Sequence, residues 1–103
     1  MLFRSNMLDN TMIIYMSPSG NKHHGTLEDW PFVVLGGCAG KLATPGRYLQ
    51  FPSYGKKGHK TIGNWWTSVL NAYGDPVEHY GDFDPGLMSS GLDQKGAIPE
   101  IIA

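Results

Sequence analysis

The sequence contains only one cysteine, Cys38, among its 103 residues. A single cysteine excludes a disulfide within the chain and any metal site built from several thiolates of one molecule. No apolar run approaches the ~20 residues needed to cross a bilayer, so we expect no membrane span. The first ten residues, MLFRSNMLDN, lack the basic segment followed by an apolar stretch that marks a signal peptide. The chain also lacks internal repeats and low-complexity segments.

Glycine and proline are abundant, with 14 and 7 residues respectively. This content is typical of a molecule with many loops and short regular elements. Hydrophobic residues make up 41% of the chain and charged residues 17%, which excludes a disordered or coiled-coil composition. The length fits a single domain, or part of one, over residues 1–103.

The net charge of −1 conceals a strong segregation of charge along the chain. Residues 30–74 carry five basic side chains and no acidic one, whereas residues 75–103 carry six acidic side chains and one lysine. The basic middle can form a face for an anionic partner, or the acidic segment can fold back over it. Tryptophans in this basic stretch fall at helical spacing, which indicates packing in a core, so nucleic acid is not the partner we expect.

Two short apolar runs predict β-strands. Residues 12–16 (MIIYM) and 32–35 (FVVL) are nearly continuous runs rich in β-branched and aromatic side chains. Such runs are typical of strands covered on both faces, as in a parallel sheet. Weaker strand signals occur at residues 48–51 and at the apolar pair 101–102.

The clearest element is an amphipathic helix at about residues 61–73. Thr61 is a suitable N-cap, and Gly74 is a suitable stop. Large side chains recur at helical spacing on one stripe, and we expect them to pack in a core or an interface: Ile62, Trp65, Trp66, Val69, Leu70 and Tyr73.

Two strands and one strong helix make a thin core for a parallel sheet, which needs helices on both faces. The pattern therefore predicts an α/β fold, as the C-terminal portion of a mostly parallel sheet with loop-rich connections. If the chain folds alone, an α+β fold is the alternative. We expect the sheet to be completed by another protein chain or by a copy of this one.

The order of several segments resembles the C-terminal part of a bacterial family of unknown function, usually exported, which is itself similar to the alkaline phosphatase and sulfatase superfamily. The resemblance extends from about Asp9 to Leu92. Its motifs are Leu8-Asp9-Asn10-Thr11 before MIIYM, His23-His24, PFVVLGG, Gly40-Lys41-Leu42, Gly46-Arg47-Tyr48, the helix start near Thr61, and the closing Gly81–Leu92 segment.

The resemblance implies a metal-dependent phosphoester or sulfoester hydrolase fold and a periplasmic or extracellular location. In that superfamily the strand matching MIIYM precedes an Asp-His-Gly metal motif, whereas this chain has Pro18-Ser19-Gly20 there. The family's nucleophile lies in a part that this chain lacks. We therefore expect no catalytic residue and no activity from this chain alone.

Two groups of residues are candidate binding sites. His23, His24 and Asp29 supply imidazole and carboxylate groups that can hold a divalent metal such as Zn²⁺, Mn²⁺ or Ca²⁺. The same residues also fit a solvated polar loop. Lys41 and Arg47 flank a Gly- and Pro-containing loop that can hold an anion, although a loop held by ordinary turns is the favoured explanation.

Three functions follow from these observations. The first is a non-catalytic or incomplete alkaline-phosphatase/sulfatase-like domain that serves as an accessory or assembly piece. The second is a part of a metal-dependent hydrolase that contributes the His-bearing loop. The third is a small anion- or nucleic-acid-binding module.

Overall fold

A computed structural model of the chain describes residues 6–17 and 30–103. The chain divides into two compact units, Met1–Arg47 and Tyr48–Ala103. The candidate metal ligands His23, His24 and Asp29 lie outside the described residues. In the described parts of the chain, no helix is long and apolar enough to cross a membrane.

The first unit is built on a two-stranded antiparallel ribbon. Strand β1 (Ile13–Met16) pairs with strand β2 (Phe32–Leu35), with Ile13 opposite Leu35 and Met16 opposite Phe32. The strand segments were predicted correctly, but the mostly parallel sheet was wrong. Continuous apolar runs indicate burial on both faces only when a sheet has covering layers, and here most side chains of both strands remain at least partly exposed.

A glycine pair ties the end of β2 to the turn that precedes β1. Gly36 adopts a φ of +101°, and a Cβ at this position would lie 2.0 Å from the carbonyl oxygen of Thr11. The next residue, Gly37, donates its backbone N–H to the carbonyl of Leu8 at 2.7 Å. Only a residue without a side chain allows the two backbone segments to approach this closely. The chain then enters a short 3₁₀ helix, Cys38–Gly40, in which Cys38 is fully buried.

The second unit contains the main helix, α1 (Ile62–Ala72), where the sequence predicted a helix at about 61–73. Thr61 is its N-cap, since the Thr61 side chain accepts a hydrogen bond from the backbone N–H of Asn64. A shorter helix, α2 (Pro85–Ser89), begins after Asp84. Two weaker strand predictions fare differently: residues 48–51 have no regular structure, so that prediction is wrong. At 101–102, Ile101 ends a 3₁₀ turn (Pro99–Ile101), and Ile102 forms an isolated β-bridge rather than a strand.

The core of the second unit is partly polar. Its buried apolar side chains are Trp65, Leu87, Ile98 and Ile101, and its buried polar ones are Asn64, Thr67, Ser68 and Gln94. Segment 94–98 has no regular hydrogen bonds of its own, so its backbone groups require side-chain partners. Asn64 donates to the carbonyls of Gln94 and Gly96, both at 2.8 Å. α1 therefore holds this segment through hydrogen bonds from its side chains.

Candidate interaction surface

One face of the β1–β2 ribbon is apolar and exposed. Because side chains alternate along a strand, the register places the pairs Ile13–Leu35 and Tyr15–Val33 on the same face. Their exposed fractions are 46% and 50% for the first pair and 74% and 52% for the second. We call these four side chains the ribbon face. Ile14 and Val34 form a pair on the opposite face and are half-buried.

The ribbon face carries no charged or hydrogen-bonding group except the hydroxyl of Tyr15. Within the described residues the sheet has two strands, so each strand also has one edge without a neighbouring strand. A two-stranded ribbon is only marginally stable in water without a further layer against its apolar face. Contiguous exposed apolar side chains of this kind are typical of a surface that contacts another protein.

The three residues of the predicted metal site, His23, His24 and Asp29, lie outside the described part of the chain. Across residues 6–17 and 30–103, no group of three or more His, Cys, Asp or Glu side chains is arranged to hold a metal ion. The metal site therefore stays a prediction from the sequence.

The predicted anion site at Lys41 and Arg47 lies at the end of the first unit. Nη1 of Arg47 donates a hydrogen bond of 2.8 Å to the carbonyl of Ala43, so this guanidinium group contacts its own loop. The backbone N–H of Lys41 bonds the carbonyl of Cys38 and closes the 3₁₀ helix, and the Lys41 side chain is exposed.

The predicted packing stripe of α1 is buried only at its centre. Trp65 is 7% exposed, whereas Ile62 and Tyr73 at the ends of the stripe are 37% and 43% exposed. The rings of Trp65 and Trp66 pack edge-on, with their centres 6.4 Å apart. Val69 and Leu70 are half-buried and line, with Trp66 and Tyr80, a groove of about 410 Å³. The apolar periodicity did not predict the burial of three polar neighbours of this stripe, which are more deeply buried than Trp65: Asn64, Thr67 and Ser68.

A second groove, of about 470 Å³, lies between residues 57–60 and 91–93. We call it the basic groove, since Lys57, His59 and Lys60 line it. The candidate sites predicted from the sequence did not include it. The available signal was the density of lysines at residues 56–60 in the basic middle of the chain.

Two charged side chains elsewhere in the second unit, Lys95 and Asp84, have specific side-chain partners. Lys95 forms a salt bridge with Glu78, and this partner raises the pKa of Lys95. Tyr54 donates a hydrogen bond to Asp84, and this bond together with the Gly86 N–H lowers the pKa of the Asp84 carboxyl. Both pairs are exposed to solvent, so they orient local structure more than they stabilise the unit.

No known protein-family model matches the chain, and comparisons with curated proteins and with solved structures find no match either. The resemblance to the alkaline phosphatase and sulfatase superfamily thus stays a prediction.

Proposed function

We propose that the chain is a non-catalytic accessory or assembly piece that associates with a second copy of itself through the ribbon face. The observation that carries this proposal is the set of four adjacent apolar side chains, each 46–74% exposed, on one face of the β1–β2 ribbon. Membership in an alkaline-phosphatase/sulfatase-like assembly is the role that the sequence resemblance implies.

A second copy is the partner whose chemistry fits this face. An apolar face without charge requires an apolar, uncharged complement, because a charged partner would lose its hydration without gaining a counter-ion. Two neighbouring cross-strand pairs, Ile13–Leu35 and Tyr15–Val33, lie side by side. A two-fold axis that lies in the contact plane and runs across the strands places each pair of one copy on the other pair of the second copy, which gives a self-complementary contact.

Sedimentation velocity over a range of concentrations tests the association. We expect the wild type to dimerise, and we expect Tyr15→Ala to weaken the dimer at least about thirtyfold, as removal of a central aromatic anchor does. Val33→Lys should give a monomer, because it places a charge on the apolar face. Met88→Lys is the matched control, since Met88 is 58% exposed on α2 and receives the same charge.

A wild type that stays monomeric at high micromolar concentration contradicts the proposal, as does equal weakening by Val33→Lys and Met88→Lys. Amide exchange of the β1 and β2 strands in each variant distinguishes loss of association from loss of the ribbon itself.

The non-catalytic part of the proposal has its own assay. We expect no hydrolysis of p-nitrophenyl phosphate or p-nitrophenyl sulfate by this chain with added Zn²⁺, Mn²⁺ or Ca²⁺. Turnover that is abolished by both His23→Ala and His24→Ala would instead support the hydrolase alternative. Calorimetric titration with Zn²⁺ and Mn²⁺ reports metal binding independently of activity.

A further inference from the structure

The basic groove has one wall built by a short turn-rich loop. The N–H of Lys56 donates to the carbonyl of Ser53, and the N–H of His59 donates to the carbonyl of Lys56, both at 3.0 Å. These two successive turns place Lys57, His59 and Lys60 along the groove, while the side chain of Lys56 is not part of its lining. The loop therefore separates neighbouring lysines into those inside and those outside the groove.

The imidazole of His59 is held in a fixed orientation in this wall. Its Nδ1 lies 2.9 Å from the carbonyl oxygen of Pro52, and its ring packs edge-on against Tyr54 with the ring centres 5.7 Å apart. A carbonyl can only accept a hydrogen bond, so Nδ1 carries the proton of this bond. Nε2 is then the ring nitrogen that Pro52 leaves unengaged.

The lining of the groove has an excess of positive charge. Among the described residues, neither Lys57 nor Lys60 forms an ion pair with a carboxylate. The opposite wall contributes one acidic residue, Asp93, whose Oδ1 accepts a hydrogen bond from the backbone N–H of Lys95 at 3.0 Å. Two lysines and one carboxylate that already has a backbone partner thus line the groove, and this excess of positive charge favours a bound anion.

The size of the groove indicates more than a single tetrahedral ion. A volume of about 470 Å³ falls within the ~300–1,000 Å³ of small-molecule sites. Leu92 and the backbone of Gly58 and Gly91 add apolar and neutral surface beside the lysines. We propose that the basic groove binds a small phosphorylated molecule, with the phosphate at Lys57 and Lys60 and the remainder beside Leu92. This site is distinct from the ribbon face and does not depend on the proposed assembly.

Calorimetric titration of the full chain with pyrophosphate and with phenyl phosphate tests this site. We expect both probes to bind, with affinities that fall as the salt concentration rises. Lys57→Ala and Lys60→Ala should each reduce the affinity for pyrophosphate about tenfold, since each removes a charged donor. Lys56→Ala is the matched control, because it removes the same charge from the same loop but at a residue outside the groove. The affinity of this variant for pyrophosphate should stay within about twofold of that of the wild type.

Asp93→Asn should change the affinity for pyrophosphate in the opposite direction. It removes the negative charge from the groove while its side-chain oxygen can still accept the hydrogen bond from Lys95, so pyrophosphate should bind more tightly. Urea unfolding of each variant checks that the second unit keeps its stability.

Three outcomes would overturn the proposal. The first is no binding of either probe by the wild type. The second is an equal loss of affinity in Lys56→Ala and Lys57→Ala, which would indicate only a general effect of net charge. The third is much tighter binding of a ten-nucleotide oligothymidylate than of pyrophosphate, weakened by the same variants, which would assign the groove to nucleic acid.

Discussion

The hydroxyl of Tyr54 donates a hydrogen bond of 2.7 Å to Oδ2 of Asp84, which lies 30 residues further along the chain. The second carboxylate oxygen, Oδ1, accepts a hydrogen bond of 2.7 Å from the N–H of Gly86 and caps α2. The hydrogen bond from Tyr54 is the main reason that the pKa of Asp84 is lowered. The pair thus joins the loop before α1 to the start of α2 while Asp84 is ionised.

Tyr54→Phe should raise the pKa of Asp84 toward its ordinary value of 3.8. Because the folded-state pKa is lower than the unfolded one, the interactions of the carboxylate contribute fully to stability above about pH 3.8. That contribution is lost as the pH falls through the lowered pKa. The stability deficit of Tyr54→Phe should therefore be present at neutral pH and disappear in acid.

An NMR titration of the Asp84 side-chain carbon measures this pKa directly. Tyr80→Phe is the control, since it removes the hydroxyl of a more exposed tyrosine in the same unit. An Asp84 pKa that is identical in the wild type and Tyr54→Phe would show that the hydrogen bond is not maintained in solution.

Asn64→Ala should be the most damaging polar substitution in α1. Asn64 is 1% exposed, and its side chain accepts from the N–H and hydroxyl of Thr61 while donating to the carbonyls of Gln94 and Gly96. With alanine at position 64, these buried donors and acceptors lose the hydrogen bonds that Asn64 makes. We therefore expect a loss of about 2–4 kcal/mol in the free energy of unfolding.

Asn71→Ala is the matched comparison on the same helix. The side chain of Asn71 accepts one hydrogen bond, from the N–H of Val77 at 2.9 Å. Its loss should cost about 1 kcal/mol in urea unfolding. Equal costs for the two alanine substitutions would mean that the hydrogen bonds of Asn64 do not hold segment 94–98.

Ser68→Ala should loosen one particular backbone position. Ser68 Oγ is fully buried, donates to the carbonyl of Asn64 at 2.7 Å and accepts from the N–H of Ile98 at 2.7 Å. The variant leaves the Ile98 amide without this acceptor, at a cost of about 1–3 kcal/mol. Hydrogen exchange should show faster exchange at Ile98, and no comparable change in the control Ser89→Ala, whose hydroxyl is exposed.

These hydrogen bonds explain which part of α1 could be predicted from its sequence. The helix and its N-cap Thr61 follow from local rules, since apolar spacing and a capping hydroxyl act within a few residues. The burial of Asn64 and Ser68 could not be predicted in this way. It depends on the unpaired backbone of a segment about 30 residues away, and hydrophobic periodicity carries no information about such a partner.

The same limit applies to the sheet. The apolar runs located β1 and β2 correctly, but strand direction depends on the connection and on the layers that cover the faces. An apolar run cannot distinguish a buried parallel strand from an exposed face such as that of Tyr15 and Val33. The basic groove was missed because its second wall, residues 91–93, is brought to the lysines only by the fold.

Gly36→Ala should disrupt the first unit. The substitution requires a positive φ of 101° that an L-residue rarely adopts, and it places a Cβ 2.0 Å from the carbonyl oxygen of Thr11. We expect a cost of more than about 3 kcal/mol, because the backbone strain adds to a clash with backbone atoms that cannot rotate away. The strand amides of β1 and β2 should then lose their protection from hydrogen exchange.

Gly40→Ala separates the two parts of this cost. Gly40 also has a positive φ, of 73°, but a Cβ at this position meets nothing within 4 Å. Gly40→Ala should therefore lower the free energy of unfolding by the backbone strain alone, about 1–2 kcal/mol. The amides of β1 and β2 should stay protected from hydrogen exchange. If both variants lose the same stability, the close approach of Gly36 to Thr11 contributes nothing. A larger loss in Gly36→Ala would show that the close approach of β2 to the turn before β1 requires glycine at this position.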